Sequence, residues 1–224
     1  MHGDMWDHVA LDPHSKLVVS LEVGKRTEEQ THALVMDAKS RLTEGCLPAI
    51  FTDAYECYTQ AILEAFGRRY SVARKGDRGR HPAPRLRRPQ GLVYAQVKKH
   101  YRGRRVERVE IRPIFGKSRL EATLERLGFA KVNTSAIERS NGTSRQRNRR
   151  KVRKTLAFSK APRYHGWMSW LSTAMYNFCR SHGGLKERCD SQVFHRSPAM
   201  AAGLTDHILS VREWLLHPVL GGQR

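Results

Sequence analysis

Metal- and disulfide-forming patterns are absent from this 224-residue chain. Its four cysteines, Cys46, Cys57, Cys179 and Cys189, include no C-x-x-C pair, which excludes a zinc knuckle and a disulfide framework. The 11 histidines are dispersed, with no H-x-x-x-H pair flanked by further ligands, which argues against a structural metal site. No stretch approaches the ~18 consecutive apolar residues of a membrane span. The opening Met1, His2, Gly3 and Asp4 do not form a signal peptide, so the expectation is a soluble intracellular protein with no membrane partner. Acidic residues are also scarce: 21 Asp and Glu stand against 41 Lys and Arg, for a formal charge of +20. Such an excess calls for a polyanionic partner. With 39% hydrophobic and 8% aromatic residues the chain can still build a core, so it is not a disordered basic tail.

The charge is unevenly placed. Residues 1–67 hold 5 basic and 11 acidic side chains, residues 68–112 hold 16 and 3, and residues 113–224 hold 20 and 7. An acidic first third followed by two basic segments separates carboxylates from polyanion-binding groups. A metal-dependent nucleic-acid enzyme needs that arrangement, and a basic binding patch beside a solvated acidic face shows it too.

Local pattern predicts a β-hairpin from Trp6–Leu11 and Lys16–Val23, joined by Asp12-Pro13-His14-Ser15. Thr27 before Glu28, Glu29 and Gln30 opens a helix to about Leu42, with Leu34, Ala38 and Leu42 on one face. The apolar run from Pro48 to Thr52 is a buried strand that delivers Asp53 at its end. Tyr55, Tyr58, Ile62 and Phe66 then recur at helical spacing until Gly67. Residues 68–89 are rich in Arg, Gly and Pro and are expected to form an irregular basic loop. Leu92–Tyr101 and Val106–Ile114 form a second strand pair through Gly103. Ser118 with Glu121, and Ser135 with Glu138, read as capping boxes for two further helices. Trp167, Trp170, Leu171, Ala174 and Phe178 give an amphipathic helix, and a helical pair follows Ser197-Pro198.

The helix opened by Ser135 is unlike the others. Between Arg139 and Lys154 lie eight basic residues and no acid, with almost no apolar stripe. A helix polar all round needs a partner, and phosphate is the obvious one. Arg139, Arg145, Arg147, Arg149, Arg150, Lys151, Arg153 and Lys154 are therefore expected to grip DNA phosphates.

Several strings occur in a familiar order: Phe51-Thr52-Asp53-Ala54-Tyr55, then Asn133-Thr134-Ser135-Ala136-Ile137-Glu138-Arg139-Ser140-Asn141, then Tyr176-Asn177-Phe178-Cys179-Arg180-Ser181-His182 with Leu185, then Ser197-Pro198-Ala199-Met200-Ala201-Ala202-Gly203. Over nearly the whole chain this order resembles the catalytic core of insertion-sequence DDE transposases, relatives of retroviral integrases. The resemblance implies an α/β fold with a ribonuclease-H-like mixed sheet flanked by helices. Residues 1–67 would be the first part of that core and 68–117 a basic insertion of loop and strand pair. Residues 118–182 would complete the core, and 183–224 would be a helical tail. It further implies DNA strand cleavage and transfer, homo-oligomers on double-stranded DNA, and a cytoplasmic, nucleoid-associated location in a bacterium.

By the same resemblance Asp53 and Glu138 are two of three carboxylates that hold Mg2+ or Mn2+. Two such ions about 4 Å apart would activate the attacking oxygen and stabilise the leaving one. The residues alone leave a simpler reading open: Asp53 as a helix N-cap and Glu138 as a capping-box glutamate. The family's first catalytic Asp sits on the first of three strands, whereas this chain supplies two, with Asp4, Asp7 and Asp12 as imperfect matches. The expectation is thus an N-terminally shortened transposase, with a non-catalytic DNA-binding regulator as the alternative.

Overall fold

The computed structural model describes residues 5–74, 76, 81–152, 156, 157, 159–189 and 192–217. They form a mixed α/β structure. Its strands and helices run β1 (Trp6–Leu11), β2 (Val18–Gly24), α1 (Glu28–Ser40), β3 (Ala49–Asp53), α2 (Cys57–Phe66), β4 (Arg68–Tyr70), β5 (Arg85–Arg87), β6 (Val93–Arg102), β7 (Arg105–Phe115), α3 (Leu120–Arg126), α4 (Ser135–Arg147), α5 (Pro162–Phe178), β8 (Glu187–Cys189), β9 (Gln192–Phe194), α6 (Pro198–Ala201) and α7 (Val211–Leu216). The chain divides into two units, Lys25–Ser135 and the combination of Met1–Gly24 with Ala136–Arg224. Among the described residues no helix is long and apolar enough to cross a membrane.

The Lys25–Ser135 unit is built on a mixed sheet of order β3-β6-β7, with β3 and β6 parallel and β6 and β7 antiparallel. Residues 93–97 of β6, the middle strand, are buried throughout, and their side chains alternate between two cores. Leu92 and Tyr94 join Val35, Ala61, Ile62, Ala65 and Phe66 of α1 and α2 on one side. Val93, Ala95 and Val97 join Leu120 and Val132 on the other. The strand pair that the sequence reading assigns to an insertion thus forms two of the three strands of this sheet.

Local chemistry sets the ends. Thr27 accepts the Gln30 amide at 3.4 Å to cap α1, as expected, but the helix stops at Ser40. Gly67 ends α2 because a Cβ there would meet the Leu63 carbonyl oxygen at 2.3 Å. The basic stretch after it is not wholly irregular: β4 and β5 pair antiparallel, with the Arg87 guanidinium 5.3 Å from the Tyr70 ring. A backbone ladder needs no apolar periodicity, which is why the pattern missed it. Ser118 does not cap α3; it lies in a 3-10 turn over Lys117–Arg119 that follows Gly116 at φ 68°. The Ser135 expectation shifts too. Ser135 is already the first residue of α4, and its amide and hydroxyl both donate to Asn133 Oδ1, at 3.1 and 2.5 Å.

In the other unit β1 and β2 form the expected hairpin as a two-stranded antiparallel sheet. Its turn is organised by Asp12, which accepts the His14 and Ser15 amides at 3.2 and 2.9 Å. Lys16 takes φ 61° there, so β2 begins at Val18 and not at Lys16. Helix α5 packs on the hairpin with a polar face. Asn177 bonds the Val18 amide at 3.0 Å and the Val18 carbonyl at 2.9 Å, and the Tyr176 hydroxyl donates to the Lys16 carbonyl at 3.1 Å. The amphipathic expectation is thereby corrected: Trp167, Trp170 and Leu171 are exposed, while Ser169 and Asn177 are buried. Helix α6 is capped by Ser197 and α7 by a Ser210/Glu213 capping box.

Candidate nucleic-acid interface

Asp53 is held at the carboxyl end of β3 by the pairing of that strand with β6, opposite Val97. Its side chain is 60% exposed and lies 3.5 Å from the Arg26 guanidinium. It accepts the Tyr55 amide at 3.2 Å, closing a turn, and is not the cap of α2, which starts at Cys57 after Glu56. Arg26 is fixed in turn, with its guanidinium 4.2 Å from the Tyr55 ring centre and its carbonyl accepting the Tyr55 hydroxyl at 3.1 Å. Burial, with a smaller push from the Asp53 charge, raises the Tyr58 phenol to about 12.

Glu138 occupies the first turn of α4 and is exposed. This helix buries none of its residues. Arg139, Arg145 and Arg147 are exposed on it, and Arg149 and Arg150 are exposed on the 3-10 turn that follows. Lys151 departs from the expectation of a phosphate contact. Its side chain is only 9% exposed, ion-paired with Asp7, and its ammonium donates to Ser144 at 2.7 Å. The reason is local: Asn148 caps the 3-10 turn by accepting the Arg150 amide at 3.1 Å, and the turn carries Lys151 inward. Arg153 and Lys154 lie outside the described residues.

The carboxylates of the N-terminal segment have other employment. Asp12 holds the hairpin turn. Asp7, 13% exposed, accepts from Lys151, and its Oδ1 pairs with His165 Nε2 at 2.9 Å. The buried Ser169 hydroxyl lies 3.3 and 3.2 Å from its two oxygens. Burial alone would raise the Asp7 carboxyl, but the His165 hydrogen bond and the Lys151 charge outweigh it and hold it below its ordinary value. Asp4 lies outside the described residues. Within either unit, no three His, Cys, Asp or Glu side chains among the described residues group closely enough to hold a metal ion.

Between α4, α5 and the hairpin runs an open cleft of about 460 Å3. Val9, Val18 and Leu21 form its apolar lining, Ser140, Ser144 and Ser172 add hydroxyls, and Arg147 and Tyr176 also line it. The Arg147 guanidinium lies 5.5 Å from the Tyr176 ring centre. His182 meets the same ring edge-on at 6.1 Å. The sequence reading gives His182 no role and counts Arg180 only as part of a motif string; their neighbourhood comes from the fold of α5 against the hairpin. Searches for similarity return no matching family model, no curated protein and no solved structure.

Proposed function

We propose that the chain binds duplex DNA and acts as a DDE-type transposase with a ribonuclease-H-like core, in which Asp53 and Glu138 are metal-binding carboxylates. The observation that carries this reading is α4 itself: Glu138 stands in the first turn of a helix that buries no residue, and exposed cations follow it. Exposed arginines on such a helix offer a sequence-independent grip on phosphates. Asp53 and Glu138 are hard oxygen donors and suit Mg2+ or Mn2+ in kind. In number they fall short of the family's three, so this chain's own residues support DNA binding more directly than a catalytic step.

The contact between Arg26 and Asp53 favours a second reading, because a guanidinium beside the carboxylate competes with a metal ion. On that reading the chain is a non-catalytic DNA-binding protein that regulates a complete transposase through mixed oligomers. Incubation with supercoiled plasmid and MnCl2 separates the two. Nicking that disappears in both Asp53→Ala and Glu138→Ala supports the enzyme. Duplex binding without nicking supports the regulator, and absence of duplex binding overturns both.

A further inference from the structure

The Tyr176 ring is the centre of a cationic group in the first-and-last-segment unit. Arg147 lies over it and His182 at its edge, while its hydroxyl pins the Lys16 carbonyl of the hairpin turn. Burial and then the charge of Arg180 push the Arg147 guanidinium down from its ordinary value. Burial, followed by the charges of Lys16, Arg147 and Arg139, does the same to His182. These charges acting on His182 are all positive and come from the hairpin turn and α4. Holding like charges together is unfavourable, and a bound anion relieves it.

The imidazole also has a defined polarity. Its Nδ1 accepts the Gly184 amide at 3.1 Å, so the neutral ring carries its proton on Nε2 and offers a donor there. The depressed pKa keeps that neutral form dominant near neutral pH.

We propose that Arg147, Arg180 and His182 Nε2–H together hold one phosphodiester of a nucleic-acid backbone against the Tyr176 ring, with Lys16 at its flank. A guanidinium stacked on an aromatic face keeps its edge N–H groups available, and that planar fork matches two phosphate oxygens. The third donor is neutral, which suits a ligand carrying a single negative charge. This site rests on the nucleic-acid reading above and extends it, because Arg180 and His182 stand outside the arginine run that motivates that reading.

The test measures anisotropy of a labelled duplex of arbitrary sequence against NaCl concentration for the full chain and for Arg147→Gln, Arg180→Gln and the double variant. Both arginines are exposed, and near-ultraviolet circular dichroism checks that each variant keeps the native fold. Two cations on one phosphate share one counterion release, so each single variant and the double variant should flatten the log-log slope by the same ~0.9. A double variant that flattens it by ~1.8, or no flattening at all, overturns the shared site while leaving DNA binding intact. A full chain with no salt-dependent affinity removes the nucleic-acid reading and this site together. The source of the phosphate is read from the His182 ring 15N resonance. The duplex should shift it at concentrations where inorganic phosphate does not; an equal shift by inorganic phosphate would make this a small-anion pocket and overturn the assignment.

Discussion

Asp7 and Lys151 are ion-paired nearly out of solvent, with 13% and 9% of their side chains exposed. The pair joins β1 to the turn that follows α4, and His165 and Ser169 of α5 bond the same carboxylate. Three segments distant in sequence are therefore tied at one charge, and most of its oxygen lone pairs have partners.

Removing one side of such a pair leaves the other charge buried. Lys151→Met should lower the unfolding free energy by about 2–3 kcal/mol, the lower end of the range for broken buried pairs because His165 still faces Asp7. The Asp7→Asn/Lys151→Met double variant should recover most of that loss, since no uncompensated charge remains. Urea unfolding of the three proteins measures both. A loss in Lys151→Met no larger than that of a surface substitution would mean that water reaches the pair.

Acid should weaken the same tie. The Asp7 carboxyl is held below its ordinary value, the effect of burial being outweighed by the His165 bond and the Lys151 charge. The folded state therefore binds fewer protons than the unfolded chain, and stability rises with pH wherever the two differ. The contribution is complete above the unfolded value of about 3.9 and is lost as pH falls through the lower folded value. Asp7→Asn should flatten the unfolding free energy against pH below about 4, and an unchanged acid limb would show that Asp7 titrates alike folded and unfolded.

Asn177 serves the edge of β2 as a neighbouring strand would, giving Val18 both an acceptor and a donor. Asn177→Ala removes two hydrogen bonds at a residue only 7% exposed, and should cost about 2 kcal/mol. Amide exchange at Val18 should accelerate in the same variant. Retained protection there would place the Val18 amide in a bond other than the one to Asn177.

Much of the architecture was legible where residue type and period agree. The hairpin, the strand delivering Asp53 and the Thr27 cap follow from alternation, a short apolar run and capping chemistry. Helix α5 was misread because its largest apolar residues set its period, whereas the face that meets the hairpin carries Ser169, Tyr176 and Asn177 and is chosen by hydrogen bonds. Lys151 was misread for a related reason. Its spacing places it in a cationic run, but the Asn148 cap turns the chain, and Asp7, far away in sequence, takes its charge. The cluster around Tyr176 could not be read either, because Lys16, Arg147 and His182 come together only through tertiary packing.

Asp53 is the residue on which catalytic and structural roles separate most cleanly. Its carboxylate is 60% exposed, and its contact with the 40% exposed Arg26 spans 3.5 Å. Exposed pairs of this kind contribute below about 1 kcal/mol, so Asp53→Ala should leave the urea midpoint nearly unchanged. Any activity lost in that variant would then report the site and not the fold. Arg26→Gln supplies the complementary measurement: it withdraws the competing cation and leaves the carboxylate in place. If Asp53 is a metal ligand, Mn2+ should broaden the amide resonances of residues 53–55 at lower concentration in Arg26→Gln than in the parent, and this broadening should vanish in Asp53→Ala. Equal broadening in all three proteins would remove Asp53 from any metal site and leave its turn-closing bond to the Tyr55 amide as its role.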